Sequence, residues 1–247
     1  MPKPPNVRRV NTGSPVEPNS EPPLRRGRVR QPTSDAAILI PDHPTLPRVR
    51  DAARDCRACE LWKRGTQTVF GEGTRNAEML LVGEQPGNEE DLSGHPFVGP
   101  AGKLLDRALQ EAGIDRSRVY VTNVVKHFKW EPRGKRRIHK KPSAGEIAAC
   151  RPWLDTEIEL VKPRAIVCLG ATAAQAVIDP KFKVTAHRGI FIPSTLAEFV
   201  TATVHPSSIL RAPDDDSRHR EMAQFVEDLR RVARALTAPT AVSSTKR

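Results

Sequence analysis

A short apolar segment, Met79–Val82, leads directly into a long loop that is rich in glycine and proline. The loop begins with Gly83-Glu84-Gln85-Pro86-Gly87 and ends at Pro96–Gly102, where a helix is predicted to start. A buried strand that continues through a loop into a helix is typical of an open α/β sheet, in which ligands bind at the carboxyl ends of the strands. Because this loop offers an acid, an amide and an aromatic ring, it predicts a binding site for a flat polar ring.

The same alternation of strand and helix continues along the chain. Apolar runs predict three further strands at Val119–Thr122, Ala165–Leu169 and Phe199–Val204, and the segments between them predict helices. Parallel strands need such helical crossovers, which cover both faces of the sheet. The sequence therefore predicts an α/β fold, namely a three-layer α/β/α domain with a central, mainly parallel four-stranded sheet.

The chain has 247 residues, and its composition divides it into a domain and two tails. Residues 1–50 carry nine Lys and Arg against four Asp and Glu and are broken by prolines, which predicts a disordered basic tail. Residues 51–237 are predicted to form the α/β domain, and residues 238–247 a second disordered tail.

The formal net charge of +11 favours a polyanionic partner such as nucleic acid. The alternative is a protein from a proteome that is rich in arginine. No segment approaches the ~20 apolar residues of a membrane span, and the N-terminus lacks the apolar core of a signal peptide. We therefore expect a cytoplasmic protein without membrane contact, whose cysteines are reduced or bound to metal.

The four cysteines are unevenly spaced. Cys56 and Cys59 form a Cys-x-x-Cys pair, whereas Cys150 and Cys168 stand alone far downstream. A structural zinc site usually uses two close pairs, while the thiolates that bind a [4Fe–4S] cluster can be widely separated. Spacing alone leaves an iron–sulfur cluster, a zinc site and unligated core cysteines as alternatives. The apolar run around Cys168 favours the last alternative for that residue.

Taken together, the motifs resemble those of the uracil-DNA glycosylases of family 4, which contain an iron–sulfur cluster. The resemblance covers about residues 52–235 and depends on segments in the same order: Cys56–Cys59, Gly83–Gly87, Pro96–Gly102, Thr122-Asn123, Cys150–Leu154, Leu169–Ala171 and His205–Ser208. Each motif alone is weak, but the combination is highly specific. The resemblance implies the uracil-DNA glycosylase fold, excision of uracil from DNA, and a [4Fe–4S] cluster bound by Cys56, Cys59, Cys150 and Cys168.

Two features depart from the ordinary family-4 pattern. Gln85 stands where that pattern has alanine, and a basic segment, Lys135-Arg136-Arg137-Ile138-His139, is inserted. Both features resemble the UdgX-type branch, which excises uracil and then stays covalently attached to the abasic site through the histidine of this loop. The resemblance therefore implies that His139 is a catalytic nucleophile. The neighbouring cations are expected to favour its neutral, nucleophilic form.

Four residues are expected to bind the base beside Gln85. Phe97 offers an aromatic face for the flipped ring, a contact worth roughly 1–3 kcal/mol. The Asn123 amide can donate to uracil O4 and accept from N3–H, a pattern that cytosine does not match; the alternative is a turn asparagine. His205 is expected to donate to uracil O2 and stabilise the departing anion, and Gly83 completes the set.

The remaining expected roles concern the acid, the amide and the DNA. Glu84 is expected either to activate water or to orient His139 by accepting its other ring N–H, while Gln85 is expected to bind the base or the loop and to displace the attacking water. Phosphate contacts are expected from Lys135, Arg136, Arg137, Ser207, Ser208 and Arg211.

The expected partner is uracil-containing DNA, preferably single-stranded because a base is flipped most easily there. The protein itself is expected to be a monomer. Two alternatives remain for the function. One is conventional hydrolytic turnover, and the other is binding of uracil-containing or single-stranded DNA without bond cleavage.

Overall fold

The computed structural model describes Met1 and residues 36–238. In residues 36–238 the helices are α1 (Leu46–Ala53), α2 (Asn88–Ser93), α3 (Pro100–Glu111), α4 (Ala144–Val161), α5 (Ala171–Val177), α6 (Val184–His187), α7 (Pro206–Leu210) and α8 (Asp215–Thr237). The strands are β1 (Met79–Gly83), β2 (Val119–Asn123), β3 (Trp130–Arg133), β4 (Arg136–His139), β5 (Ala165–Leu169) and β6 (Phe199–Thr203). Short 3-10 helices lie at Ala36–Leu39, Glu60–Lys63 and Arg116–Arg118.

Four strands form one parallel sheet in the order β2-β1-β5-β6. Their residues are buried almost throughout, because helices cover both faces of the sheet. At the carboxyl edge, Gly83 of β1 pairs with Asn123 of β2, and Leu169 of β5 pairs with Thr203 of β6. The ends of all four strands therefore lie side by side, and the loops that follow them meet at that edge.

Alternate residues of each strand pack into separate cores on the two faces of the sheet. On one face, Val82 and Tyr120 pack with apolar side chains of α1, α4 and α5. On the other face, Leu81 and Val121 pack with side chains of α3, α7 and α8. The predicted α/β/α arrangement and the four-stranded sheet are confirmed, and each predicted strand agrees with the observed strand to within one residue at either end.

A second, two-stranded sheet was not predicted from the sequence. β3 and β4 form an antiparallel hairpin in which Trp130 pairs with His139 and Arg133 with Arg136. The turn contains Gly134, whose φ of 59° lies in the left-handed region. We call Trp130–His139 the basic hairpin.

The domain begins earlier than the predicted boundary at residue 51. Ala36, in the first 3-10 helix, and Val49, in α1, are fully buried and belong to the core that contains α4. Residues 36–50 of the predicted tail are thus part of the folded unit. The predictions for residues 2–35 and 239–247 lie outside the described residues. In the described part of the chain, no helix is long and apolar enough to cross a membrane.

Candidate functional site

A cavity of about 630 Å³ lies at the carboxyl edge of the parallel sheet. Its walls come from the β1–α2 loop, the end of β2, the basic hairpin, the start of α5 and the turn between β6 and α7. Eight of the side chains predicted to act in one site line it: Glu84, Gln85, Phe97, Asn123, His139, His205, Ser207 and Arg211. The parallel sheet brings together segments that are far apart in sequence, because all four strands end at this edge.

Asn123 is buried at the last position of β2, opposite Gly83. A Cβ atom on Gly83 would lie 2.3 Å from Asn123 Oδ1 and 2.8 Å from Phe97 Cζ, so a glycine is needed for both side chains to fit. The backbone carbonyl of Asn123 accepts a hydrogen bond from Lys126 Nζ at 2.8 Å. Its side-chain amide forms no hydrogen bond with the residues that the structure describes, so its donor and acceptor remain available to a ligand in the cavity.

Phe97 has a φ of 58°, a left-handed conformation that bulky residues rarely adopt. Gly102, in the first turn of α3, makes this conformation possible, since a Cβ atom there would lie 1.6 Å from the Phe97 carbonyl oxygen. The Phe97 ring stacks on the His205 ring, with centroids 6.3 Å apart and an interplanar angle of 27°. Such backbone strain persists where surrounding contacts fix a functional group, and here it presents an aromatic ring to the cavity.

The hydrogen bonds of His205 determine which ring nitrogen carries the proton. The Ser207 backbone N–H donates to Nδ1 at 3.1 Å, and the Ser207 hydroxyl lies 2.8 Å from the same atom. Because Nδ1 accepts, the neutral ring carries its proton on Nε2. Burial, followed by the charges of Arg211 and His139, lowers the pKa of His205 to about 4. At pH 7 His205 is therefore a neutral N–H donor on the cavity wall.

His139 ends β4 and faces Glu84, with Nε2 lying 3.4 Å from Oε1. This separation exceeds a normal hydrogen-bond length of about 2.7–3.2 Å. Burial is the main effect on the pKa of His139; Glu84 raises that pKa and Arg211 lowers it, and the net shift is downward. The neutral form is thus favoured by partial burial of a side chain that stays half exposed, rather than by the cations of its own loop.

Gln85 is buried, and its amide holds the base of the basic hairpin. Its Nε2 atom donates to the carbonyl oxygens of Lys129 and Lys140, at 3.2 and 3.1 Å, and its Oε1 atom accepts from the Lys129 N–H at 3.1 Å. These bonds reach both ends of the hairpin at once. Of the two predicted alternatives, binding the loop or binding the nucleobase, the amide of Gln85 makes the contacts to the loop.

Arg137 was predicted to contact phosphate, but the structure places it beneath the basic hairpin with only 19% of its side chain exposed. Its Nε atom donates to Asn88 Oδ1 at 2.7 Å, and a terminal nitrogen donates to Asp91 Oδ2 at 2.6 Å. The guanidinium also lies 5.5 Å from the centre of the Phe128 ring. Arg137 therefore anchors the hairpin to α2.

The other predicted phosphate contacts divide into two groups. Ser207 is bonded to the His205 ring, and the Ser208 hydroxyl donates to the His205 carbonyl at 2.7 Å, so both serine side chains are engaged within the turn. Lys135 and Arg136 are exposed at the hairpin turn, and Arg211 is exposed at the cavity rim. These three cations stay predicted DNA contacts.

The model of the Uracil DNA glycosylase superfamily matches residues 70–230 of the chain. The chain belongs to this superfamily. A type-4 uracil-DNA glycosylase of Thermotoga maritima is 41% identical over 171 residues, which cover 69% of this chain and 85% of that protein. A type-4 uracil-DNA glycosylase of Saccharolobus solfataricus is 35% identical over 201 residues, covering 78% and 87%. A type-5 uracil-DNA glycosylase of Pyrobaculum aerophilum is 29% identical over 182 residues, covering 67% and 77%.

In this member of the uracil DNA glycosylase superfamily, three of the four cysteines lie near one another. Burial is the main cause that raises the pKa of Cys150 to about 12; Lys126 opposes this shift, and the neighbouring Cys59 and Cys56 contribute to it. Trp153, one turn after Cys150 on α4, donates its Nε1–H to Cys56 Sγ at 3.3 Å.

Cys168 lies apart from these three thiols. It is fully buried in the middle of the sheet, where β5 pairs with β1 and β6. Burial raises the pKa of Cys168 to about 12 and Arg151 opposes this shift, but no other cysteine contributes. The structure therefore does not gather the predicted set of four cysteines in one place.

Sequence reasoning missed three residues that hold the site together. The Glu90 carboxylate accepts from the N–H groups of Gly87 and Gly99, at 3.0 and 2.9 Å, and so ties the two ends of the β1–α3 loop. Lys126 supports Asn123, and Thr172 contacts Glu84. Only Glu90 has a local signal in the sequence. It lies three residues after Gly87 at the start of a helix, a spacing that predicts that its carboxylate accepts a hydrogen bond from the Gly87 N–H. The other two contacts are long-range or buried.

Proposed function

We propose that this chain removes uracil from DNA and that His139 then captures the abasic sugar. The chain is a DNA N-glycosylase, as its superfamily and its type-4 relatives indicate. The observation that carries the choice of uracil is the Asn123 amide, which is buried, has both polar atoms available, and lies in the same cavity as the Phe97 ring and His205. A flipped uracil stacked on Phe97 would offer O4 and N3–H to that amide.

Bond cleavage needs stabilisation of two charges. The C1′–N1 bond breaks with its electron pair on uracil, leaving an oxocarbenium-like sugar. In the neutral tautomer His205 carries its proton on Nε2, and this N–H can donate a hydrogen bond to the charge that develops at uracil O2. Glu84 places a carboxylate in the same cavity, where its charge would favour the cationic sugar.

Covalent capture is the second part of the proposal. A neutral imidazole has a lone pair that can form an N–C1′ bond, while the proton on its other ring nitrogen passes to Glu84. Three observations support this step. His139 faces Glu84 in one cavity, partial burial favours the neutral imidazole, and Gln85 fixes the root of the basic hairpin. In this mechanism the basic hairpin would hold the imidazole beside the sugar, where it competes with water.

The test is denaturing electrophoresis after incubation with an oligonucleotide that contains one uracil. Wild-type protein is expected to give a band of protein attached to DNA, and His139→Ala is expected to give none. His139→Ser keeps the pocket and is expected to release free uracil and leave abasic DNA. A wild-type reaction that yields abasic DNA without the attached band would support conventional turnover, and an intact glycosidic bond would support a silent DNA-binding protein.

We also propose that an iron–sulfur cluster is held by Cys56, Cys59 and Cys150, with His127 in place of Cys168. In residues 36–238, no group of three His, Cys, Asp or Glu side chains is placed to hold a single metal ion. A cluster of four irons is larger and needs ligands that lie further apart. His127 is buried and follows Lys126, whose N–H donates to Cys150 Sγ at 3.3 Å. Such a cluster would supply a covalent link between the N-terminal segment and α4.

Iron content separates Cys168 from the other cysteines. Cys168→Val is expected to retain the iron content and visible absorbance of the wild type, because the side chain lies in the apolar sheet. Cys150→Ala is expected to lose both. Metal analysis of the purified variants makes the comparison. Loss of iron from Cys168→Val, with unchanged far-UV circular dichroism, would restore Cys168 as a ligand.

Single-stranded DNA is the proposed substrate form, bound by a monomer. Three exposed cations are suited to phosphate: Arg211 at the cavity rim, and Lys135 and Arg136 at the turn of the basic hairpin. Flipping a base out of a single strand needs no unpairing, and the proposed pocket is formed within one chain.

A further inference from the structure

Thr172 lies in contact with Glu84, and neither uracil excision nor covalent capture as proposed above assigns it a role. It is 4% exposed, at the second position of α5, and its hydroxyl donates a hydrogen bond to Glu84 Oε2. The other carboxylate oxygen, Oε1, faces His139 Nε2 at 3.4 Å. The two oxygens of Glu84 are thus divided between a buried hydroxyl and the proposed nucleophile.

This division restricts what the carboxylate can do. A hydroxyl donor fixes the carboxylate plane, because rotation about the last side-chain bond would break the hydrogen bond. It also takes one of the two acceptor positions of Oε2, which leaves this oxygen less available to a water molecule in the cavity. Glu84 therefore has one orientation, in which the oxygen left for proton transfer points at His139.

We propose that Thr172 is a positioning residue that directs Glu84 to His139 and keeps its second oxygen from activating water. This inference rests on the covalent function proposed above. Two reactions compete for the sugar after uracil has left. In one, the imidazole lone pair forms the N–C1′ bond and its other ring proton goes to Glu84. In the other, water forms an O–C1′ bond, its proton goes to Glu84, and abasic DNA is released. Thr172 favours the first.

The experiment measures the ratio of covalent product to free abasic DNA, with total uracil release followed in the same samples. Thr172→Val keeps the shape of the side chain but removes the hydroxyl. We expect it to shift the ratio toward abasic DNA by about tenfold, the size of effect given by one hydrogen bond to a charged group. Thr172→Ser keeps the hydroxyl and is the matched control, for which the wild-type ratio is expected.

Each outcome has a definite meaning. An unchanged ratio in Thr172→Val, even with slower uracil release, would reduce Thr172 to a structural residue and overturn the inference. The same would follow if Thr172→Ser behaved like Thr172→Val. Thr172→Ala removes the hydroxyl with less bulk, and it is expected to repeat the shift if packing in Thr172→Val disturbs the fold. Absence of covalent product with the wild type would instead overturn the proposed function itself.

Discussion

Replacing Lys126 with methionine is expected to lower the free energy of unfolding by about 3–5 kcal/mol, the usual cost of leaving one partner of a buried ion pair alone. Lys126 and Glu157 are 1% and 0% exposed, and Nζ lies 2.5 Å from Oε2. Lys126 Nζ also donates to Thr122 Oγ1 at 2.7 Å and to the Asn123 carbonyl at 2.8 Å. The substitution would strand a carboxylate in the core, and denaturant unfolding monitored by circular dichroism measures the loss.

Lys129→Met is the matched control. Lys129 pairs with Glu146 at 2.9 Å, but both side chains are partly exposed, at 29% and 17%. Pairs of this kind contribute at most about 1 kcal/mol, so the control should differ little from the wild type. If both variants lost the same free energy of unfolding, burial would not be the reason that the Lys126–Glu157 ion pair stabilises the fold. A second variant, Lys126→Met with Glu157→Gln, removes the stranded charge and should recover part of the stability.

Replacing His205 with alanine is expected to slow uracil release by about 100- to 1,000-fold, as loss of one oxyanion donor does in other enzymes. The bond from Ser207 N–H to Nδ1 and the lowered pKa favour a neutral His205 ring with its proton on Nε2, and the ring lies in the cavity beside Phe97. The alanine variant would leave the charge on uracil O2 without this partner. Single-turnover release of free uracil, measured by chromatography, is the appropriate assay.

Ser208→Ala controls for disturbance of the turn. Ser208 is exposed, and within residues 36–238 its hydroxyl bonds only to the backbone carbonyl of His205. The rate for this variant should stay within a few-fold of the wild type. If His205→Ala were equally fast, uracil would leave without help from that imidazole, and another donor would have to be found.

The parts of the fold and site that the sequence predicted correctly depend on local patterns. Four apolar runs predicted the four parallel strands, since residues buried on both faces of a sheet are uniformly apolar. Asn123 and His205 were placed in one site because each follows or ends a strand, and parallel strands end at one edge. Phe97 could be placed there from its loop of proline and glycine, although its left-handed backbone could not.

The parts that were missed depend on contacts between distant segments. The basic hairpin carries charges on half of its positions and lacks the alternation that reveals a half-buried strand. Nothing local to Arg137 indicates that it would bind Asp91 rather than phosphate. For Cys168 the apolar run did indicate a core position, but the family resemblance placed it with the other three cysteines. Residues Lys126 and Thr172 act through side chains that only the folded chain brings near.

The basic hairpin is fastened at its root by Gln85 and along β4 by Arg137, while Gly134 at its tip has open space around it. Insertions at the tip would therefore lengthen the reach of the loop over a bound strand while leaving the imidazole in place. Under the proposed mechanism, affinity for nucleic acid and reactivity toward the sugar could therefore be changed separately, and the tip is the place to vary the first without the second.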